Sequence, residues 1–269
     1  MFTHDFVRNA YIAGTPIALA CGVLGWFVVL RAQVFAGDAL SHVAFVGAIA
    51  AAVLGFDERV GLFALTIAVA LGLATLGRRA QADDVVIGTT FAWILGVGLL
   101  LLTVLATSSG GGNGITAANT LFGSIYSLSA GSARVAGAVA LGAMAVLAFG
   151  LRPLLFSTLD PEVATVRGIP VRALGAGFLA LLAVVTADTT QAVGALLLLG
   201  LLAAPAGAAH LVTVRPYRGM VLSAAIALGA VWAGLALAYA IPSLPPSSAI
   251  IGLAAAGYLV AALTEHARG

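Results

Sequence analysis

The sequence predicts an all-α polytopic membrane protein, and three observations carry that prediction. Of 269 residues, 62% are hydrophobic and 8% charged, with a mean hydropathy of +1.13, outside the range of a water-soluble domain. The apolar residues gather in runs of about 20, the length a helix needs to cross a hydrocarbon core of about 30 Å. Arginines stand singly or in pairs at the ends of these runs. That placement is topological rather than a nucleic-acid patch, despite a formal net charge of +2 and a pI near 9.0. The whole chain, 1–269, reads as one transmembrane domain.

Nine spans are expected, near 9–30, 33–54, 60–77, 86–106, 133–151, 171–187, 192–213, 219–240 and 247–264. The amino terminus has Arg8 but no basic cluster and no small-residue cleavage signal, so the first run is read as a retained span. Pro16 and Pro205 kink their spans and free backbone carbonyls. In the second span, Gly47/Ala51 and Ala48/Ala52 at four-residue spacing permit close helix approach. Asp57, Glu58 and Arg59 form a short solvated loop, and Asp83 and Asp84 sit where the fourth span begins, in solvated or N-capping roles. The run Ser108-Ser109-Gly110-Gly111-Gly112 is a flexible connection. The segment 119–129 is too short to cross and reads as a half-helix or re-entrant element, in which Gly123 permits an unusual backbone angle.

The loop 152–171 holds a short helix with both ends marked. Asp160 suits the N-cap, Pro161 the first helical position, and Glu162 the positive end of the dipole. Arg167 complements the other end, Gly168 suits the left-handed C′ position, and Pro170 stops continuation. So short a helix is marginal alone and needs support, while Val163, Ala164 and Val166 offer an apolar surface to a partner.

With nine crossings the termini lie on opposite sides. A cytoplasmic carboxyl terminus places Arg31, Arg78, Arg79, Arg152, Arg167, Arg172, Arg215, Arg218 and Arg268 inside and only Arg8, Arg59 and Arg134 outside. That is the positive-inside arrangement.

Two absences narrow the chemistry. All twelve basic residues are arginine, and without lysine the chain cannot carry the phosphate-binding loop G-x-x-x-x-G-K-[ST]. Any ATPase coupled to transport is therefore a separate polypeptide. Cys21 is the sole cysteine, which excludes an intrachain disulfide and a multi-thiolate metal site, and it reads as a small apolar group.

The chemistry concentrates in Gly37-Asp38-Ala39-Leu40-Ser41-His42. A charge near the bilayer centre costs roughly 2.5–3.5 kcal/mol, so a retained intramembrane carboxylate marks function. On a helix entering at residue 33, Asp38 lies about 8 Å and His42 about 14 Å deep, on one face, with Ser41 beside them. A carboxylate and a neutral imidazole suit zinc, manganese or ferrous iron. They make half a shell, to be completed by other spans, a second subunit or water. A proton relay and a polar pair fixing helix register are the alternatives, and spacing alone leaves all three open. Asp188, near the external mouth, and His210, near the inner end of its span, are further pathway candidates.

These motifs, with Leu121-Phe122-Gly123-Ser124, Asp160-Pro161-Glu162 through Ala164 and Gly168, and Val193-Gly194-Ala195-Leu196-Leu197 leading to Ala204-Pro205-Ala206, resemble in order and spacing the membrane permease of zinc/manganese-type ABC importers, the ABC-3 family. The resemblance covers nearly the whole chain. It implies a homodimeric permease of the bacterial plasma membrane with the larger helix bundle of type II importers, also seen in vitamin B12 and siderophore permeases. It further implies two copies of a separate ATPase that binds the ATP, and an extracytoplasmic metal-binding protein that delivers the ion. The permease would be no enzyme and would hold no cofactor of its own. Asp160 to Gly168 would be the coupling helix, and Asp38/His42 the intramembrane metal pair. Some zinc members carry a histidine in the fourth span and a histidine-rich segment, both lacking here, which leaves zinc against manganese open. The rival from a different class is a proton-coupled secondary transporter of a metal or other cation using the same pair as a relay.

Overall fold

The computed structural model describes residues 4–76, 84–108, 123, 125–195, 198–241 and 243–267. Among the described residues ten α-helices follow one another: α1 (Asp5–Leu30), α2 (Val34–Leu54), α3 (Glu58–Leu76), α4 (Asp84–Ser108), α5 (Ala130–Leu159), α6 (Pro161–Val166), α7 (Val171–Val193), α8 (Leu198–Val212), α9 (Pro216–Ala240) and α10 (Pro246–His266). A 3-10 turn, Ile125–Ser127, precedes α5. Eight of these helices are long and apolar enough to cross a membrane.

The expected span 192–213 differs in where its helix starts. The apolar run 192–213 reads as one span, but α7 continues through Asp188 to Val193, Gly194 takes φ +98, and α8 begins only at Leu198. Fifteen residues of α8 cover about 22 Å, short of a hydrocarbon core of about 30 Å. Small apolar residues at the break, Ala192-Val193-Gly194-Ala195, running into leucines hid it from the periodicity. The fifth span also departs from 133–151: α5 runs to Leu159, straight through Arg152 and Pro153.

Contacts at the helix ends sort them into two faces. Arg59 bonds Ser132, and Asn9 Nδ2 donates to the Leu128 carbonyl at 3.3 Å. The rings of His4 and Tyr239 lie 6.2 Å apart. On the opposite face Arg31 Nη1 donates to Thr158 Oγ1 at 3.3 Å and its guanidinium stands 4.9 Å from the Phe178 ring. Helix order puts the described Arg167, Arg172, Arg215 and Arg218 near the same end as Arg31.

Lipid tails are as apolar as leucine, so these helices are held by close fit rather than by exclusion of water. α1 is the centre, packed on α5, α8 and α9, and Ser223 Oγ donates to the Gly22 carbonyl at 2.6 Å. α2 packs on α3, α4 and α7. Gly47 and Gly61 meet backbone to backbone, with no room for a methyl group between α2 and α3, as the small-residue spacing of the second span anticipated. α4 lies at the edge: 17% of its span is buried, against 67% for α1 and α2.

Of the 119–129 element, residues 119–122 and 124 lie outside the described residues. The rest is inserted among the helices. Ile125 is buried beside Gly14, Tyr126 Oη donates to the Leu235 carbonyl at 2.6 Å, and Ser129 caps α5. Gly123, with φ +71, lies against the backbone of Val193 and Gly194, where any side chain would collide. Arg78, Arg79, Asp83, Ser109 to Gly112 and Arg268 also lie outside the described residues, while Asp84 opens α4.

Candidate functional site

α2 holds Asp38 and His42 on one face, each half-buried. That face borders a groove of about 390 Å³ against α4, lined by Phe35, Asp38, Ala39, Ile87, Gly88 and Phe91. Phe91 meets the His42 ring edge-on, with centroids 5.1 Å apart at 85°. The imidazole is oriented from behind: its Nδ1 is 3.1 Å from the Asp38 carbonyl and 3.2 Å from Ser41 Oγ. A carbonyl only accepts, so that contact assigns the proton to Nδ1 and leaves the Nε2 lone pair for a ligand.

Ser41 is fully buried and links the pair to the chain break. Its Oγ is 2.7 Å from the Asp38 carbonyl and 3.0 Å from that of Ala195, and its single proton serves one of them at a time. The irregular backbone at Gly194 and Ala195 is thus enclosed by protein, the condition under which non-helical chain is tolerated at membrane depth. Among the described residues no three His, Cys, Asp or Glu side chains gather closely enough to hold a metal. Asp38 and His42 remain half a shell.

The other pathway candidates stand elsewhere. Asp188, expected near an external mouth, is buried in α7 with 2% exposure, its Oδ2 without a hydrogen-bond partner. The neighbouring Thr189 Oγ1 lies 3.3 Å from Cys21 Sγ, fastening α7 to α1. His210 is stacked on Trp26, with ring centroids 5.0 Å apart and Nε2 3.1 Å from the Trp26 carbonyl. It does not line the groove of Asp38. Sequence reasoning missed the contribution of α4: Gly88 and Phe91 sit in a mostly apolar helix, and the signal was a glycine one turn from an aromatic residue.

The short helix α6 is built as its cap residues dictate. Asp160 Oδ1 accepts from the Val163 amide at 3.0 Å, Pro161 opens the helix and Glu162 lies in its first turn. At the other end the Ile169 amide donates to the Ala164 carbonyl and the Gly168 amide to the Thr165 carbonyl, both at 3.0 Å, with Gly168 at φ +77. This is a Schellman closure. Arg167 stands 5.7 Å from the Phe156 ring, which supplies the support so short a helix requires. Val163 and Val166 are exposed, at 41% and 89%, but Ala164 is fully buried and offers no surface to a partner. The reason is helical phase: Ala164 faces the chain's own helices. Beside α6 lies a recess of about 550 Å³, lined by Pro161, Glu162, Thr165 and Val166 and by the residues leading into α7.

The family model of the ABC 3 transport family matches residues 3–265. The manganese transport system membrane protein MntC of Halalkalibacterium halodurans is 29% identical over 216 residues, 80% of this chain and 72% of that protein. The chelated iron transport system membrane protein YfeD of Yersinia pestis is 29% identical over 206 residues, 76% and 67% of the two chains. Among solved structures, PsaBC from Streptococcus pneumoniae in complex with Fab superposes with a TM-score of 0.83 at 25% identity, over 97% of this chain and 92% of that one.

Proposed function

The chain belongs to the ABC 3 transport family, and from that premise we propose that it is the permease subunit of an ATP-driven importer of divalent transition-metal ions, manganese, zinc or ferrous iron. The observation that carries the reading is the Asp38/His42 pair within a membrane helix, with Asp38 lining an open groove and His42 one turn on against Phe91, its Nδ1 held by the Asp38 carbonyl. A carboxylate and a neutral imidazole are the donors these ions take. The half shell is completed by a second copy of the chain or by water, and the permease works as a homodimer in the bacterial plasma membrane. The two copies alternate access around the pair, each moving as a packed unit. Ser41 holds the site while the ion passes; Asp188 and His210 act on α7 and α8 rather than as ligands of this pair.

ATP is bound and hydrolysed on a separate subunit, since a chain without lysine lacks the loop that grips the phosphates. That subunit docks on α6 through Pro161, Glu162, Val163 and Val166 and the recess beside them. Asp160, Arg167 and Gly168 fix the shape of the helix, and buried Ala164 seats it on the bundle. An extracytoplasmic metal-binding protein delivers the ion to the opposite face. The arginine distribution supports an external amino terminus and a cytoplasmic carboxyl terminus.

The test is metal accumulation in cells that lack the native gene and carry either wild type, Asp38→Ala or His42→Ala. Both variants should abolish accumulation while the complex still assembles. Normal accumulation in both would sink the assignment. Accumulation that collapses with the proton gradient and needs no ATPase would replace it with a secondary carrier.

A further inference from the structure

The turn from α8 into α9 and the first turns of α9 form a groove of about 670 Å³ that the transport mechanism does not use. Its mouth is polar and basic. Thr213, Tyr217 and Arg218 line it, and Arg215, exposed, is the N-cap of α9. No Asp or Glu occurs between residues 189 and 264, so α8, α9 and nearly all of α10 offer these arginines no acidic partner. Among the described residues the only ion pair is Arg8 with Asp5.

Beyond the mouth the wall is apolar: Val212, Val221, Leu222 and Ala225. From Tyr217 to Ala225 is about 12 Å of helix, within a 25-residue span of hydropathy 2.1. Val221 is 70% exposed. An occupant must therefore bring negative charge to the membrane boundary and hydrocarbon below it. A soluble protein could cover the mouth, but it could not follow the wall into the lipid.

We propose that this groove binds an anionic phospholipid, its phosphate on Arg215 and Arg218 at the positive end of α9 and one acyl chain along Val221 and Ala225. The arginine stems lie along the apolar wall while their heads stay at the interface, and Tyr217 sits at headgroup level. The inference needs only that this end of α9 meets a membrane boundary, so it stands or falls separately from the imported ion.

The complex, purified with its partner subunits and reconstituted in equal parts phosphatidylglycerol and phosphatidylethanolamine, would be analysed by native mass spectrometry for retained lipid. Wild type should retain phosphatidylglycerol in preference. Replacing Arg215 and Arg218 by Gln should weaken retention about fivefold each and about twenty-fivefold together. Ala225→Phe keeps both charges but fills the wall, and should also release the lipid. All these positions are exposed, so thermal midpoints should match wild type. Equal retention of the two lipids by wild type, or retention unchanged in the arginine variant, overturns the proposal. Loss in the arginine variant but not in Ala225→Phe reduces the groove to a headgroup contact and overturns it as well. Loss of the ATPase subunit with lipid unchanged assigns the face to a protein.

Discussion

At Ser41 one hydroxyl stands between a candidate ligand helix and a break in another helix. Removing it leaves the buried Ala195 carbonyl without its side-chain donor, a loss of about 1–3 kcal/mol. Ser41→Ala should therefore lower the denaturation midpoint of the purified complex and slow metal uptake without abolishing it; a midpoint equal to wild type would show that the Ala195 contact contributes nothing. Gly123 allows a harsher test. Its φ of +71 and its contact with Val193 and Gly194 exclude even a methyl group, so Gly123→Ala should leave little folded protein in the membrane, measured by immunoblot of the membrane fraction. The sequence made Asp38 and His42 legible because two polar side chains in an apolar run have little other reason to be there. It concealed Phe91 and the Ala195 carbonyl. One is an aromatic ring among many apolar residues, and the other is a backbone atom whose exposure depends on a break that Gly123 and Gly194 make together.

α6 was the most legible element, because its ends are written in local chemistry: an aspartate that accepts from an amide three residues on, a proline that opens the helix, a glycine in the left-handed region. Asp160→Ala should cost about 1 kcal/mol of helix stability and loosen coupling, so that ATP hydrolysed per ion imported rises in reconstituted vesicles. A ratio equal to wild type would separate the cap from transport. Val166, at 89% exposure, is the complementary probe: Val166→Glu should leave the permease folded but reduce copurification of the ATPase, and undiminished recovery would place docking elsewhere. The α7–α8 boundary was the least legible. Apolar residues run through Gly194 to Ala204 without polar punctuation, and composition cannot tell a broken helix from a continuous one.

Taken as one body, the protein has arginines at both ends of its bundle, Arg59 at the end of Ser132 and Arg31 at the end of Thr158. The sidedness is open to chemical labelling, since Cys21, the only native thiol, is fully buried and gives no background. A cysteine placed at Asp57 should react with an impermeant maleimide in intact cells, whereas one placed at Thr165 should react only after permeabilisation; the reverse pattern would invert the orientation. The all-helical bundle followed from hydrophobic runs and their lengths. The start of the short helix α8 did not, because it depends on where contacts between distant segments stop a helix. The backbone contact of Gly47 with Gly61 has a mechanical corollary. With no side chain to cushion the seam, α2 cannot tilt without dragging α3, so the exposed turn at Phe56 and Asp57 is a pointer rigidly geared to Asp38, about 24 Å along the helix. A fluorophore on that turn should read out, from the water, whether an ion occupies the membrane.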